Sequence, residues 1–289
     1  MSYVLITGGG GSLGTKLALM LREEGHPIKI FDLPGLDYSS LEDKPGIEIF
    51  TGNIAHMDTL REVVSDVDTV IHLAALLPPV AEEDWRRTES VNVVGTENLL
   101  KAVREQKGEA HFVFSSSVAV YGDTIDEKEP LSADHALGPN DFYSKSKVLA
   151  EKLVMESGLF YTVLRISGIA IPAFLEPPAV WPFKRDQRME FISRDDVVTA
   201  LFNCVGNKAV RDKVFNIAGG ATWQRMGYEY VTALFDLMGV PAEEAVYLEV
   251  PGWFHWYQTD DSQAALTYQN TTFQDFLNRL AKAIQELLG

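Results

Sequence analysis

Residues 7–14 read TGGGGSLG. They lie between YVLIT (3–7), a β-branched apolar run, and SLGTKLALMLREEG (12–25), whose apolar positions recur at helical spacing. A strand that turns into a helix through glycines presents the helix's free N–H groups and positive dipole end to whatever sits in the turn. Glycine also lets backbone approach an anion with no Cβ in the way. The run parses as Gly9-x-Gly11-x-x-Gly14 or as Gly8-x-x-Gly11-x-x-Gly14, and alone it would also serve a plain tight turn. Asp32, 18 residues after Gly14, follows the second β-like run, PIKIF (27–31). An acid there accepts hydrogen bonds from an adenosine ribose diol and repels a 2′-phosphate, which favours NAD over NADP. An Asx turn before Pro34-Gly35 is the competing use of Asp32. Strand, glycine loop, helix and acid in this order meet the context of a dinucleotide fingerprint, so NAD is the expected cofactor.

Outward from this loop the alternation continues. IEIFTG (47–52), DTVIHLA (68–74), HFVFSSS (111–117) and YTVLRI (161–166) read as buried strands. DTLREVVS (58–65), EDWRRTESVNVVGTENLLKAVREQ (83–106) and FYSKSKVLAEKLVMES (142–157) read as helices between them. This pattern predicts an α/β chain with a doubly wound parallel sheet of Rossmann type. The regularity breaks after Arg165. IPAFLEPPAVWPFKRDQ (171–187) reads as an ordered Pro-rich loop, EFISRDDVVTALFNCV (190–205) as a strand and helix, and KVFNIAGG (213–220) as a returning strand. From Ala221 the chain is helical and aromatic-rich. The expected division is an NAD-binding domain, 1–170 plus 191–220, and a small discontinuous C-terminal substrate lobe, 171–190 plus 221–289.

The chain has 289 residues, 46% of them hydrophobic, which is ample for one large domain and a lobe. Its net charge of −16 argues against a nucleic-acid partner, because phosphate binding needs a basic face. Cys204 is the one cysteine, so no internal disulfide forms; its small apolar side chain suits a core. The first residues, MSYVLITGG, lack a signal-peptide pattern, and the longest apolar stretch, VIHLAALLPPV (70–80), is too short to span a bilayer. A cytoplasmic protein is expected, with no membrane contact. The six histidines show no metal-ligand spacing, so no metal is expected, and His72 reads as a core histidine.

Tyr143 and Lys147 in FYSKSK (142–147) are four residues apart, about one helical turn, so they share a face. Spacing alone does not make them a catalytic pair. The larger set of motifs does more. TGGGGSLG, GNI (52–54), LAA (73–75), NVVGTENLL (92–100), FSSSVAVYG (114–122) and FYSKSK occur in the order of the extended short-chain dehydrogenase/reductase superfamily. Over about residues 1–220 the chain resembles its NAD-dependent epimerase/dehydratase type. That resemblance settles the glycine parse as Gly8, Gly11 and Gly14, with Ser12 and Leu13 between them. It implies that Asn53 and Ile54 lie beside adenine, with Asn53 in place of the usual Asp. It implies that Leu73, Ala74 and Ala75 lie under the cofactor, and that Asn92 is the motif asparagine, in a direct or a backbone-bonding role. It also implies that Ser117, rather than Ser116, is the catalytic serine beside Tyr143 and Lys147, and that the protein is a homodimer through the 83–106 and 142–157 helices.

The chemistry is consistent with that implication. Hydride transfer at a carbinol carbon needs a group that takes or gives the hydroxyl proton, and a free tyrosine, with a pKa of about 10, is a poor base at neutral pH. A lysine ammonium one turn away favours tyrosinate. The same lysine can bond the nicotinamide ribose, while the serine orients the reacting oxygen. Departures from the family pattern narrow the reaction. Val118 and Ala119 stand where family dehydratases carry acids, which argues against dehydration. In RISGIAIP (165–172), Gly168 stands where nucleotide-sugar epimerases have an asparagine that helps hold a diphosphate. LLPPV (76–80), LEPPAVWPF (175–183) and PGWFHWYQ (251–258), together rich in Pro, Trp and Phe, offer walls for a sugar ring, an aromatic alcohol or a steroid-like alcohol. They would equally pack the lobe or a subunit interface. Lys184, Arg185, Arg188, Arg194 and Arg225 offer phosphate-clamping cations or plain surface charge. The expected small-molecule reaction is epimerase-like on a sugar or nucleotide sugar. Net dehydrogenation of a sugar, uronate or other secondary alcohol is the alternative, and an NAD-binding scaffold without turnover is the minor one.

Overall fold

In the computed structural model, described over residues 2–106, 109–173 and 176–288, the strands come mostly from β-branched and aromatic runs, buried on both faces at the centre of the main sheet and only partly buried at its edge and in the short strands. They are β1 (Tyr3–Thr7), β2 (Ile28–Asp32), β3 (Ile47–Thr51), β4 (Val67–His72), β5 (His111–Ser117), β6 (Phe160–Ile166), β7 (Gly168–Ala170), β8 (Arg188–Ser193), β9 (Lys213–Ile217) and β10 (Gln224–Met226). Seven of them form one parallel sheet in the order β3-β2-β1-β4-β5-β6-β9. The order reverses between β1 and β4, and a doubly wound sheet opens its ligand crevice at the carboxyl ends on either side of such a point.

The helices are α1 (Ser12–Glu23), α2 (Met57–Val63), α3 (Trp85–Thr88), α4 (Gly95–Glu105), α5 (Phe142–Met155), α6 (Arg194–Phe202), α7 (Gly227–Met238), α8 (Asp260–Leu266) and α9 (Phe273–Leu288). One face of the sheet is covered by α1 and α6, with Leu17, Leu21, Val197 and Leu201 packed over Ile6, Ile30 and Leu164. The other face carries α2, α4 and α5, with Leu60, Leu99, Val103 and Val154 over Leu5, Val70 and Phe112. Cys204 is buried in the first of these layers. Burying large apolar side chains on both faces at roughly 1.5–3 kcal/mol each is what favours a central sheet over an exposed one.

The long helix expected over 83–106 is divided. A π-helical turn, Glu89–Val94, separates α3 from α4. Two local causes stand in its path: Asn92 is drawn out to bond the loop after β4, and Gly95 lies so close to Ile54 that an added Cβ would sit 2.6 Å from its Cγ2. A second sheet, β10-β8-β7, is antiparallel between β10 and β8 and parallel between β7 and β8. It packs with α7 and α9 around Trp181, Phe183, Trp223, Tyr230, Phe254 and Phe273. Trp181 forms an isolated parallel bridge with Tyr247 inside the Pro-rich stretch, of which residues 174–175 lie outside the described residues. Among the described residues no helix is long and apolar enough to cross a membrane.

Candidate active site

The glycine loop shows why each glycine is there. Gly8 has φ +72°, and a Cβ on it would lie 2.7 Å from the Ala74 nitrogen. A Cβ on Gly14 would lie 2.5 Å from the Gly9 Cα and 2.6 Å from the Gly8 oxygen. Both contacts are with backbone, so any larger residue forces the loop to move. Gly11 is the N-cap of α1 and gives no side-chain cap, which leaves the first N–H groups of a 12-residue helix without a side-chain acceptor. Asp32 lies across the loop, where Oδ2 accepts from the Gly10 N–H at 3.0 Å and Oδ1 from the Leu33 N–H at 2.8 Å. Each carboxylate oxygen keeps a lone pair for a further donor. Uncapped helix end, glycine cradle and acid together fit a dinucleotide's pyrophosphate and ribose.

A cleft of ≈ 490 Å³ runs from this loop along the strand ends. Gly8, Gly11, Asp32, Asn53, Ile54, Leu73, Ala74 and Ala75, all expected from the sequence, line it. Asn53 is oriented by its Oδ1, which accepts from the Ala55 N–H at 2.9 Å. Gly14 and Leu13 are not part of the lining. Gly14 is packed under the loop, and the Leu13 side chain packs against the sheet core. The Ser12 hydroxyl accepts a hydrogen bond from Arg194 Nη1 at 2.9 Å. Phe31, Arg87, Ser90 and Val91 also line the cleft, and sequence reading does not single them out; so do Leu76 and Leu77, from the LLPPV stretch expected at the substrate. Phe31 lies on β2 beside Asp32, and the others come from loop and helix positions with no fixed spacing to the glycines.

Asn92 is not on the cleft wall. Its Oδ1 accepts from the Leu76 N–H at 2.7 Å, and its Nδ2 donates to the Leu76 carbonyl at 3.0 Å and to Ser146 Oγ at 2.9 Å. Of the two roles open to it, the structure shows the backbone-bonding one: the amide latches the loop after β4 onto α5. His72 is likewise a satisfied core residue, held between Thr7 Oγ1 at 2.6 Å and Thr96 Oγ1 at 2.9 Å. Burial, with a smaller push from Lys147, lowers its pKa to about 3.

The end of β5 and the face of α5 meet beyond that loop. Asp141 caps α5 through the Ser144 N–H at 2.7 Å, and Glu82 accepts from the N–H groups of Phe142 and Tyr143 at 2.9 Å each. Two carboxylates at a helix N-terminus fix where Tyr143 stands. Glu82 is sixty-one positions away in sequence and leaves no local signal. Ser117 Oγ accepts from the Ala119 N–H at 3.1 Å, which leaves its hydroxyl proton to donate. Ser116 is committed elsewhere, donating at 2.5 Å to Glu151, whose carboxylate also holds Arg165 at 2.8 Å. Lys147 Nζ donates to the Ser115 carbonyl at 2.8 Å and lies 5.7 Å from the Tyr143 ring centroid. Tyr143, Lys147 and Glu151 thus form a ladder on one face of α5 that holds three successive serines of β5.

Burial pushes the Tyr143 phenol up to about 12; the neighbouring Ser117 hydroxyl pulls it down and Asp141 pushes it further up. Burial takes the Lys147 ammonium down to about 8, against the pull of Glu151. From the sequence, lysine is expected to favour tyrosinate. In this geometry the ammonium is turned to the Ser115 carbonyl and desolvation dominates, so the phenol stays protonated. Trp253 packs against Tyr143, Ala81 and Ala119 and stacks on Phe254 at 4.3 Å between centroids. At Gly168 an added Cβ would lie 2.2 Å from the Phe191 ring.

A family model, the NAD dependent epimerase/dehydratase family, matches residues 4–172, more than half of the chain. The chain belongs to this family. It is an extended short-chain dehydrogenase/reductase, as its motif order implies. A 3-beta-hydroxysteroid dehydrogenase of Mycolicibacterium neoaurum is 36% identical over 184 residues, 58% of this chain and 48% of that protein. A D-erythronate dehydrogenase of Cupriavidus necator is 33% identical over 162 residues, 53% of this chain and 49% of that one. The match therefore spans about half the length of these curated relatives. A short-chain dehydrogenase/reductase superfamily protein of Agrobacterium tumefaciens, crystallised with bound NAD, superposes with a TM-score of 0.83 at 22% identity, covering 99% of this chain and 98% of that one. That likeness extends the fold agreement to the small second sheet and its helices.

Proposed function

We propose that this chain is an NAD-dependent dehydrogenase/reductase of a secondary alcohol whose body is apolar, rather than an epimerase of nucleotide sugars. One observation carries the choice: Trp253, stacked on Phe254, packs against the cluster that holds Tyr143, and the Phe191 ring fills the space next to Gly168, where nucleotide-sugar epimerases have an asparagine. A nucleotide diphosphate needs donors and cations there. Four of the five basic side chains that the sequence offers already have partners. Arg188 pairs with Glu129 at 3.0 Å, Arg194 turns to Ser12, and Arg185 and Arg225 lie over the Tyr228 and Phe273 rings. The dehydrogenases among the relatives support the same reading.

NAD is taken to lie along the cleft, with Asp32 on the adenosine ribose, Asn53 and Ile54 at adenine, the α1 N-terminus on the pyrophosphate, and Leu73, Ala74 and Ala75 beneath. The bound nicotinamide supplies the hydride acceptor. A secondary alcohol and oxidised NAD give a ketone, NADH and one proton. Tyr143 takes that hydroxyl proton, and it returns one in the reverse direction. Ser117 donates its free hydroxyl proton to the reacting oxygen and orients it. The nicotinamide's own positive charge, together with the Lys147 ammonium one turn away, would favour the tyrosinate that burial alone disfavours, and Lys147 is taken to reach the nicotinamide ribose. Residues 171–190 and 221–289 act as the substrate lobe in this reading. Exposed Val94 and Phe142 on α4's approach and α5 support a homodimer through these helices.

The test is direct. The purified protein is incubated with NAD and a panel of hydroxysteroids, aryl carbinols, uronates and nucleotide sugars, following NADH absorbance and product stereochemistry. NADH formed in step with ketone from an apolar alcohol is the expected result. Inversion of a nucleotide sugar without NADH release would sink the dehydrogenase reading in favour of an epimerase.

A further inference from the structure

We infer that Arg194, at the β8–α6 junction, is a pyrophosphate-binding residue that completes the cofactor site from the opposite side of the glycine loop. The inference rests on the NAD reading above and adds a residue to it from a segment far from the glycine motif in sequence. Arg194 Nη1 donates to Ser12 Oγ at 2.9 Å, which brings a guanidinium to the first residue of α1. Its Nε is buried with no partner among the described residues. No carboxylate lies within 4.0 Å of it among those residues; the adjacent Asp195 is held by Lys16 at 2.5 Å and by Arg279 at 3.1 Å. In a protein of net charge −16, a guanidinium beside the cofactor loop without a counter-ion calls for an explanation.

The neighbourhood of α1 sharpens it. A helix N-terminus carries partial positive charge and is ordinarily balanced by a capping oxygen or by acids in the first turn. Here the N-cap is Gly11, no side chain caps the helix, and the first turn holds no acid. A cation added to that end is repelled by it. The arrangement becomes favourable when a doubly charged pyrophosphate sits between them. The uncapped N–H groups then meet one side of the anion and the guanidinium fork meets another, in the bidentate geometry that arginine makes with phosphate oxygens. Because Arg194 opens α6 directly after β8, this contact also ties the small sheet to the phosphate loop.

Calorimetric titration with NAD and with ADP-ribose, and competition with adenosine, separate the possibilities. Arg194→Ala is expected to weaken NAD and ADP-ribose about 10- to 100-fold, the size of a hydrogen-bonded charge contact, while adenosine binds as in the wild type. Arg194→Lys, which keeps the charge and loses the fork, is expected to fall between the two. Should Arg194→Ala fold poorly, Ser12→Ala removes the anchor without touching the charge and is expected to weaken NAD to a smaller extent. If Arg194→Ala and Arg194→Lys bind NAD within twofold of the wild type, or if adenosine is lost in parallel with NAD, the assignment of Arg194 is overturned. A wild-type chain that binds neither NAD nor ADP-ribose overturns the cofactor reading, and this assignment with it.

Discussion

Tyr143 and Lys147 stand one turn apart, and burial moves them in opposite directions, the phenol up to about 12 and the ammonium down to about 8. At pH 7 the phenol keeps its proton, so ketone reduction uses Tyr143 as it stands, whereas alcohol oxidation must first draw that proton off. Removing the hydroxyl removes both directions. Tyr143→Phe is expected to lower turnover roughly 10²–10⁴-fold, the usual worth of a positioned acid/base, with NAD affinity within a few-fold of the wild type. Single-turnover rates beside calorimetric NAD binding check it, and a fully active Phe variant would remove Tyr143 from the chemistry. The pair is visible in the sequence because helical spacing survives in one dimension. Its protonation is not, because desolvation comes from Ala81, Ala119 and Trp253, which approach from three distant segments. Asn92 shows the same limit, since a motif position identifies the residue and only the fold shows its amide bonded to Leu76 and Ser146.

At the scale of the element, the β1 turn into α1 is decided by backbone clearance. A Cβ on Gly14 meets Gly9 and Gly8 backbone atoms at 2.5 Å and 2.6 Å, whereas one on Gly158, at φ +77°, meets nothing within 4 Å. Gly158→Ala therefore carries only the left-handed backbone penalty, about 1–2 kcal/mol. Gly14→Ala must displace the loop, and overpacking of that kind costs about 1–3 kcal/mol, with loss of function on top. Denaturant midpoints measure both costs, and NAD titration separates them: Gly14→Ala is expected to weaken NAD, because the shifted loop carries the α1 N-terminus with it, while Gly158→Ala is expected to leave NAD binding unchanged. Equal NAD affinities in the two variants would refute the steric account. Elements of this kind are legible where one local pattern dominates: TGGGGSLG, YVLIT and HFVFSSS have the bounds that their residues suggest. The helix over 83–106 is less so, because the π-helical turn answers to Leu76 and Ile54, neither of which belongs to that stretch. Gly168 is a third case. The sequence shows a missing side chain, and only the fold shows the Phe191 ring in its place, so Gly168→Ala is expected to destabilise by about 1–3 kcal/mol and Phe191→Leu to relieve part of that loss in a double-mutant cycle.

At the scale of the molecule, the small sheet is joined to its surroundings through a buried carboxylate that the sequence does not advertise. Glu190, in the middle of β8, is fully buried. It accepts from the Gly220 N–H at 2.8 Å, from the Tyr257 N–H at 2.9 Å and from Gln224 Nε2 at 3.1 Å. These donors come from the segment after β9, from β10 and from the PGWFHWYQ stretch, so one side chain gathers three parts of the chain with no cation paired to it among the described residues. Burial pushes its pKa up to about 7 from 4.5, against the pull of those three N–H donors. A carboxyl whose pKa is higher in the folded protein than in the unfolded chain binds its proton more tightly when folded. Its contribution to stability is therefore fully present below pH 4.5 and is lost as pH rises through 7. The whole excursion amounts to about 3 kcal/mol. Glu190→Gln has no titration here, so its stability relative to the wild type should improve steadily from about pH 5 to about pH 7, whatever fixed cost the amide adds by facing one of the N–H donors. Denaturant unfolding of the two proteins across that range reads the difference directly, and parallel pH profiles would show that Glu190 is ionised throughout and that the three donors outweigh its burial.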